Sequence, residues 1–298
     1  MRSVNGSVAA ITGAGSGIGR ATAIALAKKG AALALSDISE RGLAETVEQL
    51  PPGTHVTTRV VDVAKIEDVE AWAREVEHHF GRTSILMNIA GVGLYGQYKD
   101  YARADLEWIM GVNFWGPVNG AQAFLPMLER EPAANIVTIS SLYGLIAPAG
   151  QTGYCASKFA VRGFYEALRH ELRESSVSVT VVHPGGVATN IARTSRAAAK
   201  ADTTYKAADT ERFEKLLRMP PSKAADLIVR AVETNKKRLI VGVDAQIFQM
   251  LQRIFPSSYY GIIVKILPSA DTVAIARERA KLAASEAAGS VRSTVGAA

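Results

Sequence analysis

Short apolar runs rich in β-branched residues alternate along this chain with longer stretches in which apolar positions recur every three or four residues. Val8–Thr12, Ala32–Asp37, Val56–Asp62, Ser84–Asn88, Asn135–Ser140, Val177–His183 and Leu239–Val241 read as buried strands, with helix-length amphipathic segments between them. This alternation predicts a parallel sheet, because parallel neighbours need crossover connections and those crossovers cover both faces. The expected fold class is α/β, a doubly wound parallel sheet with helices on both faces. Ligands of such sheets sit beyond the carboxyl ends of the strands, where the strand order reverses. Three loops rich in Gly, Asn or Pro fall there: Thr12–Gly19, Asn88–Gly96 and Pro184–Asn190.

The pattern changes near residue 243. Residues 1–243 are expected to form one domain, and 244–298 an amphipathic extension with an alanine-rich tail. In the extension Ile247, Phe248, Leu251, Ile254 and Phe255 fall on one helical stripe that Pro256 ends, and Tyr259–Leu267 is apolar apart from Gly261 and Lys265. Such stripes most often pack on a core or a subunit partner. The alternative is a lid over an apolar substrate entrance, or a peripheral contact with a membrane that delivers the substrate.

Composition narrows the classes. At 298 residues, 48% hydrophobic and 21% charged, the chain has the make-up of a packed globular protein. Its net charge of +6 is spread without a basic run, so no nucleic-acid partner is expected. The single cysteine, Cys155, excludes an internal disulfide and fits a reducing compartment. The N-terminal stretch lacks a signal-peptide pattern and no apolar span reaches membrane length, so a cytoplasmic location is expected. His78 and His79 are adjacent and cannot converge on one ion from a helix, and no metal is expected.

The candidate chemistry lies in the loops. After the first strand comes Thr12-Gly13-Ala14-Gly15-Ser16-Gly17-Ile18-Gly19, followed by a good helix. Glycines let a backbone turn sharply and approach a pyrophosphate, while the new helix offers unpaired N–H groups. Taken alone, the glycines also suit an ordinary strand–helix turn. The second strand, however, ends at Asp37, where a carboxylate can accept from an adenosine ribose and repel a 2′-phosphate, which favours NAD over NADP. Asp37 could instead cap the next helix.

Further on, Tyr154 and Lys158 stand four apart at the start of a helical stretch and so share a face, where a nearby ammonium would favour the tyrosinate. Ser141, thirteen positions before Tyr154, ends a strand and can donate to a substrate oxygen. Each alone is unremarkable: a core tyrosine beside a surface lysine, a turn serine. Cys155 beside Tyr154 points elsewhere, and His183 before Pro184 reads as a packed histidine.

Together, the T-G-A-G-S-G-I-G loop and the block I-V-T-I-S-S-L-Y-G…Y-C-A-S-K-F-A-V resemble the classical short-chain dehydrogenases/reductases, with their Rossmann-like fold. The resemblance covers about residues 4–242. It implies Asn113, Ser141, Tyr154 and Lys158 as catalytic: Ser141 orients substrate, Tyr154 is general acid/base, Lys158 binds the nicotinamide ribose and depresses the tyrosine, and Asn113 holds a water in the proton relay. It implies cofactor contacts by Gly13, Ser16, Gly17, Ile18, Gly19 and Asp37, and by Asp62 and Val63 at the adenine. Further contacts fall to Asn88, Ala90, Gly91, Tyr154 and Lys158, and to Pro184, Gly185, Val187 and Thr189 at the nicotinamide. Where the family has N-N-A-G this chain has Asn88-Ile89-Ala90-Gly91, which puts a local hydrogen-bond arrangement in question. The implied activity is NAD-dependent interconversion of a secondary alcohol and a ketone by a homodimer or homotetramer. The C-terminal pattern adds an apolar, lipid-like or steroid-like substrate. Rival readings are an NADP-dependent carbonyl reductase, a non-catalytic nicotinamide sensor or scaffold of the same fold, and an epimerase or dehydratase, which the glycine spacing disfavours.

Overall fold

The computed structural model describes residues 3–204 and 206–266, so the alanine-rich tail expected at the C-terminus, with Leu267, lies outside the described residues. Seven strands form the sheet: β1 (Val8–Thr12), β2 (Ala32–Asp37), β3 (Val56–Val60), β4 (Ile85–Asn88), β5 (Ala134–Ile139), β6 (Val177–Pro184) and β7 (Arg238–Val241). Their order is β3-β2-β1-β4-β5-β6-β7, every pair parallel, as the alternation predicted. The order reverses between β1 and β4, where Thr12 pairs with Asn88, so the two loops that follow open into one crevice.

The central strands read as near-continuous apolar runs because both of their faces are covered: all of β1 and all of β5 are buried. On one face α1 (Gly17–Ala27), α2 (Glu40–Val47) and α8 (Pro221–Glu233) supply Ala23, Leu26, Leu43, Ile228 and Val232 to the core. On the other, α3 (Ile66–Phe80), α5 (Gly116–Glu129) and α6 (Thr152–Glu171) supply Trp72, Phe124, Val161 and Tyr165. Trp72 meets Phe124 edge-on at 4.8 Å between centroids. Between α4 (Arg103–Met110) and α5 the chain makes a π-helical turn, Gly111–Trp115. The cause is in the sequence: Pro117 has no N–H to give the carbonyl of Asn113, four residues before it.

After α7 (Lys206–Glu214), α8 and β7 come α9 (Val243–Ile254) and α10 (Tyr259–Ile266), the break between the last two falling at Pro256. Their inner residues Ala245, Phe248, Leu251 and Ile263 pack with Leu142 and Ile146, and the Ala147 N–H donates to the Tyr259 hydroxyl (2.9 Å). The extension is therefore fastened to the segment that follows β5. It does not present the single stripe expected from sequence. Phe248 and Leu251 turn inward, whereas Ile247 and Ile254 face solvent at 59% and 60% exposure. No helix among the described residues is long and apolar enough to cross a membrane.

On the face under α3 and α5, Phe124 is fully buried against Trp72. Phe124→Ala should cost about 3–5 kcal/mol, the range for emptying a buried phenylalanine site, read as a lower urea midpoint at unchanged slope; a loss under about 1 kcal/mol would mean that the site collapses freely.

Candidate active site

The Thr12 hydroxyl accepts from the N–H groups of Ile89 (3.1 Å) and Ala90 (3.2 Å), stitching the ends of β1 and β4 together. Above this stitch the glycine loop folds tightly: a Cβ on Gly19 would lie 2.0 Å from the carbonyl oxygen of Gly13. Only a bare backbone lets α1 begin here with its unpaired N–H groups facing the crevice. Asp37 closes the other end. Its Oδ2 accepts from the Gly15 N–H (2.9 Å) and its Oδ1 from the Ser39 N–H (2.9 Å), and a Cβ on Gly15 would sit 2.8 Å from the carboxyl carbon. Those two bonds fix the carboxylate and leave it acceptor capacity for a diol. Arg20 nearby is consumed by the carbonyls of Gly15 and Gly42 and by Glu45 and Thr46. Asp62 holds its own turn, accepting from the Ala64 N–H at 3.1 Å, and the Val63 carbonyl accepts from Asn119 at 3.0 Å.

At the far end of the crevice β5 delivers Ser141 and α6 delivers Tyr154 and Lys158. Ser141 and Tyr154 are joined through their hydroxyls. Ser141 Oγ also accepts from the Tyr143 N–H (3.0 Å), and its carbonyl meets Nδ1 of His183 (3.2 Å). Lys158, 3% exposed, donates from Nζ to the Ile139 carbonyl (3.1 Å), with Nζ 5.7 Å from the Tyr154 ring centroid. Ser140 Oγ donates to the Lys158 carbonyl (2.8 Å), tying the helix to the strand. The Tyr143 ring stands edge-on to that of Tyr154 at 6.1 Å.

Burial dominates the electrostatics. It pushes the Tyr154 phenol up to about 12 against a smaller lowering by Ser141, and pulls Lys158 down to about 8. Desolvation is the larger effect on Tyr154, and the hydroxyl of Ser141 opposes it. His183 is pulled down to about 3 by burial and stays neutral near pH 7.

One cavity of about 1760 Å³ joins both ends. Gly13, Ser16, Gly17, Ile18, Gly19, Asp37, Asp62 and Val63 line it, as do Ala90, Gly91, Ser141, Tyr154 and Lys158 and, from the loop after β6, Pro184, Gly185, Val187 and Thr189. Two expected residues are placed differently. Asn88 does not line the cavity: its amide points into the body, donating to the Tyr165 hydroxyl (2.9 Å) and the Pro117 carbonyl (3.4 Å), so it braces the sheet. The fully buried Asn113 side chain clamps Val92 through both its N–H (2.8 Å) and its carbonyl (3.0 Å), also donates to Ser157 Oγ (3.1 Å), and does not line the cavity. Ile89 replaces the family asparagine without opening a gap, half-buried against the core while its N–H binds Thr12. Sequence reasoning assigns no role in the site to three contributors: Thr12, Tyr143 and His183. Each sits inside or next to a motif already singled out, and adjacency to those motifs is the available signal.

The buried ammonium makes a testable cost. A folded value near 8 against an ordinary 10.5 means that the unfolded chain holds the extra proton between those limits, so stability rises with pH across that window and carries the full penalty below about 8. Lys158→Met should therefore be more stable than the parent at pH 7, by about 1–3 kcal/mol after loss of the Ile139 bond, with the gap closing toward pH 10.5. Urea unfolding at both ends of the window checks this. A variant no more stable at pH 7, or a gap indifferent to pH, contradicts it.

Comparison with known proteins agrees with this geometry. Residues 7–200 match the short chain dehydrogenase family model. SadH of Mycobacterium tuberculosis, named as an oxidoreductase, is 45% identical over 267 residues, covering 88% of this chain and 96% of its own. A short chain dehydrogenase/reductase of Burkholderia phymatum in complex with NAD superimposes with a TM-score of 0.79 at 31% identity, over 85% of this chain and 95% of its own. An alcohol dehydrogenase of the archaeon Thermococcus sibiricus, complexed with 5-hydroxy-NADP, superimposes with a TM-score of 0.66 at 25% identity, over 79% and 95%. This chain belongs to the short-chain dehydrogenase/reductase family of oxidoreductases.

Proposed function

We propose that the protein interconverts a secondary alcohol and a ketone with NAD as the redox partner, on an apolar, lipid-like or steroid-like substrate. The observation that carries the reading is the hydroxyl pair Ser141–Tyr154 set above a buried ammonium at one end of a cavity whose other end is a glycine loop and a carboxylate. The cradle that a Cβ would fill at Gly19 and the two-point hold on Asp37 suit a dinucleotide with a free adenosine 2′-hydroxyl. A nicotinamide held by these residues would supply the hydride chemistry at its C4, and its oxidised ring would add a positive charge.

The chain's own residues handle the proton. In oxidation Tyr154, as phenolate, takes the proton from the substrate hydroxyl while Ser141 holds the same oxygen; in reduction Tyr154 returns it to the developing alkoxide. A phenol held near 12 is a competent donor toward an alkoxide, and becomes an acceptor only when positive charge gathers beneath it. Lys158 supplies one such charge below about pH 8 and has donors for a ribose hydroxyl.

Substrate class follows from the walls. Beyond Tyr154 the cavity is faced by Leu94, Tyr143, Ile146, Leu216, Phe248 and Ile263, side chains that favour a bulky apolar body over a polyol. Exposed aromatic surface at Trp115 and Phe159, near the start of α5 and on α6, supports a homodimer or homotetramer through those helices. The lone, buried Cys155 thiol supports a cytoplasmic location. Residues 1–243 are taken as the catalytic and dinucleotide-binding domain and 244–298 as its extension.

Two measurements test the reading. Tyr154→Phe should lower turnover by about 10²–10⁴-fold, the usual worth of a general acid/base, with NAD affinity nearly unchanged; activity within about threefold of the parent would remove Tyr154 from the chemistry. The unmutated protein should favour NAD over NADP in kcat/KM, and Asp37→Ala should narrow that ratio. Equal or better efficiency with NADP before mutation would refute the cofactor assignment.

A further inference from the structure

Helix α9 carries apolar residues on two faces. The inner one, Ala245, Phe248 and Leu251, is covered, and Phe248 together with Ile263 of α10 also lines the cavity. The outer one is Val243, Ile247, Met250 and Ile254, exposed by 70%, 59%, 53% and 60%. Their spacing of four, three and four positions puts them in one stripe along the whole helix, and Phe255 and Ile266 extend the apolar surface. A helix facing only water carries charge there. From Ala245 to Ile266 there is no acidic side chain, and the only charged ones are Arg253 and Lys265, both exposed.

We infer that this outer face of α9, with Arg253 and Lys265, rests on an anionic lipid surface, and that the apolar substrate passes from that surface into the cavity behind Phe248. The inference rests on the reading of an apolar substrate given above. Three observations favour lipid as the occupant. The one acid of α9, Asp244, is turned to the cavity side, where it accepts from the Gly186 N–H (2.8 Å), and an apolar stripe flanked by cations is the pattern of a helix lying in the interface of an anionic bilayer, where apolar burial and counter-charge act together. The same helix forms the cavity wall, so the docked face and the substrate chamber are separated by one helix thickness. A second copy is a poorer occupant: the stripe is four side chains on a twelve-residue helix, whereas a stable protein interface takes roughly 800 Å² per partner.

The full-length protein should co-sediment with phosphatidylcholine vesicles that contain phosphatidylglycerol, and less with phosphatidylcholine alone. The double substitution Ile247→Ser with Ile254→Ser should weaken binding to both vesicle types at least about tenfold, since two buried isoleucines are lost. Arg253→Gln with Lys265→Gln should weaken it about 25-fold on anionic vesicles only, about fivefold per cation, and raised salt should imitate that change. None of the four side chains lines the cavity, so turnover of a small water-soluble secondary alcohol should persist in both variants, while KM for a bilayer-held apolar substrate should rise. Failure of the parent protein to bind anionic vesicles, or equal binding by the isoleucine variant, overturns the inference. So does a light-scattering mass that falls by half in the isoleucine variant without any vesicle binding by the parent, which would assign the stripe to a second copy. Vesicle binding as expected, with no turnover of any secondary alcohol by the parent, would strike the proposed reaction and leave the docking face standing.

Discussion

A buried ammonium at the carboxyl edge of the sheet sets the terms for its surroundings. Lys158 lies among groups that must either bond to it or stay small: the Ile139 carbonyl accepts from it, and a Cβ on Gly91 would come within 3.3 Å of both its Nζ and the Asn113 amide oxygen. Ser140 anchors the same residue by its carbonyl, and Gly144 is bare because a Cβ there would lie 2.2 Å from that serine's hydroxyl. A charge held this way costs stability, and it persists where the surrounding structure over-determines it. What it secures is an ammonium held over the Tyr154 ring, 5.7 Å from its centroid.

The rest of the architecture serves that edge. The Thr12 stitch fixes the height of the glycine loop against β4, and the Asp37 clasp on Gly15 fixes its distance from β2. The π turn before α5, caused by Pro117, carries Asn113 to where its side chain locks Val92 beneath the loop after β4. His183 holds the Ser141 carbonyl from the neighbouring strand, and being neutral it adds no charge to compete with Lys158. The strand end and α6 thus present three hydroxyl or amine groups at one edge, and residues of α7, α9 and α10 wall the chamber beside them.

Much of this architecture is legible in the amino-acid sequence. Strands buried on both faces leave a plain trace as apolar runs, which is why all seven can be located there, with ends shifted by one or two residues. The glycine loop and the Tyr154–Lys158 spacing are legible because their chemistry demands those residue types at those intervals. Orientation is harder to read. Asn88 falls at a strand end as expected, yet which way its amide points depends on Tyr165, 77 positions away. Helix α9 shows why periodicity alone falls short: with apolar residues on both faces, the pattern gives a stripe without saying which side is covered. The proton affinity of Tyr154 escapes the sequence for a related reason, since desolvation is a property of the assembled site and has no signature in the four-residue interval to Lys158.

The central claim is that hydride and proton leave the same carbinol at the Ser141–Tyr154 edge of the sheet. Single-turnover oxidation of apolar secondary alcohols deuterated at the carbinol carbon tests it most directly. The account predicts that the deuterium appears on the reduced nicotinamide, one atom per molecule of ketone formed, with a primary isotope effect on the rate. Ketone formed with the label released to water, or with none on the nicotinamide, would contradict it.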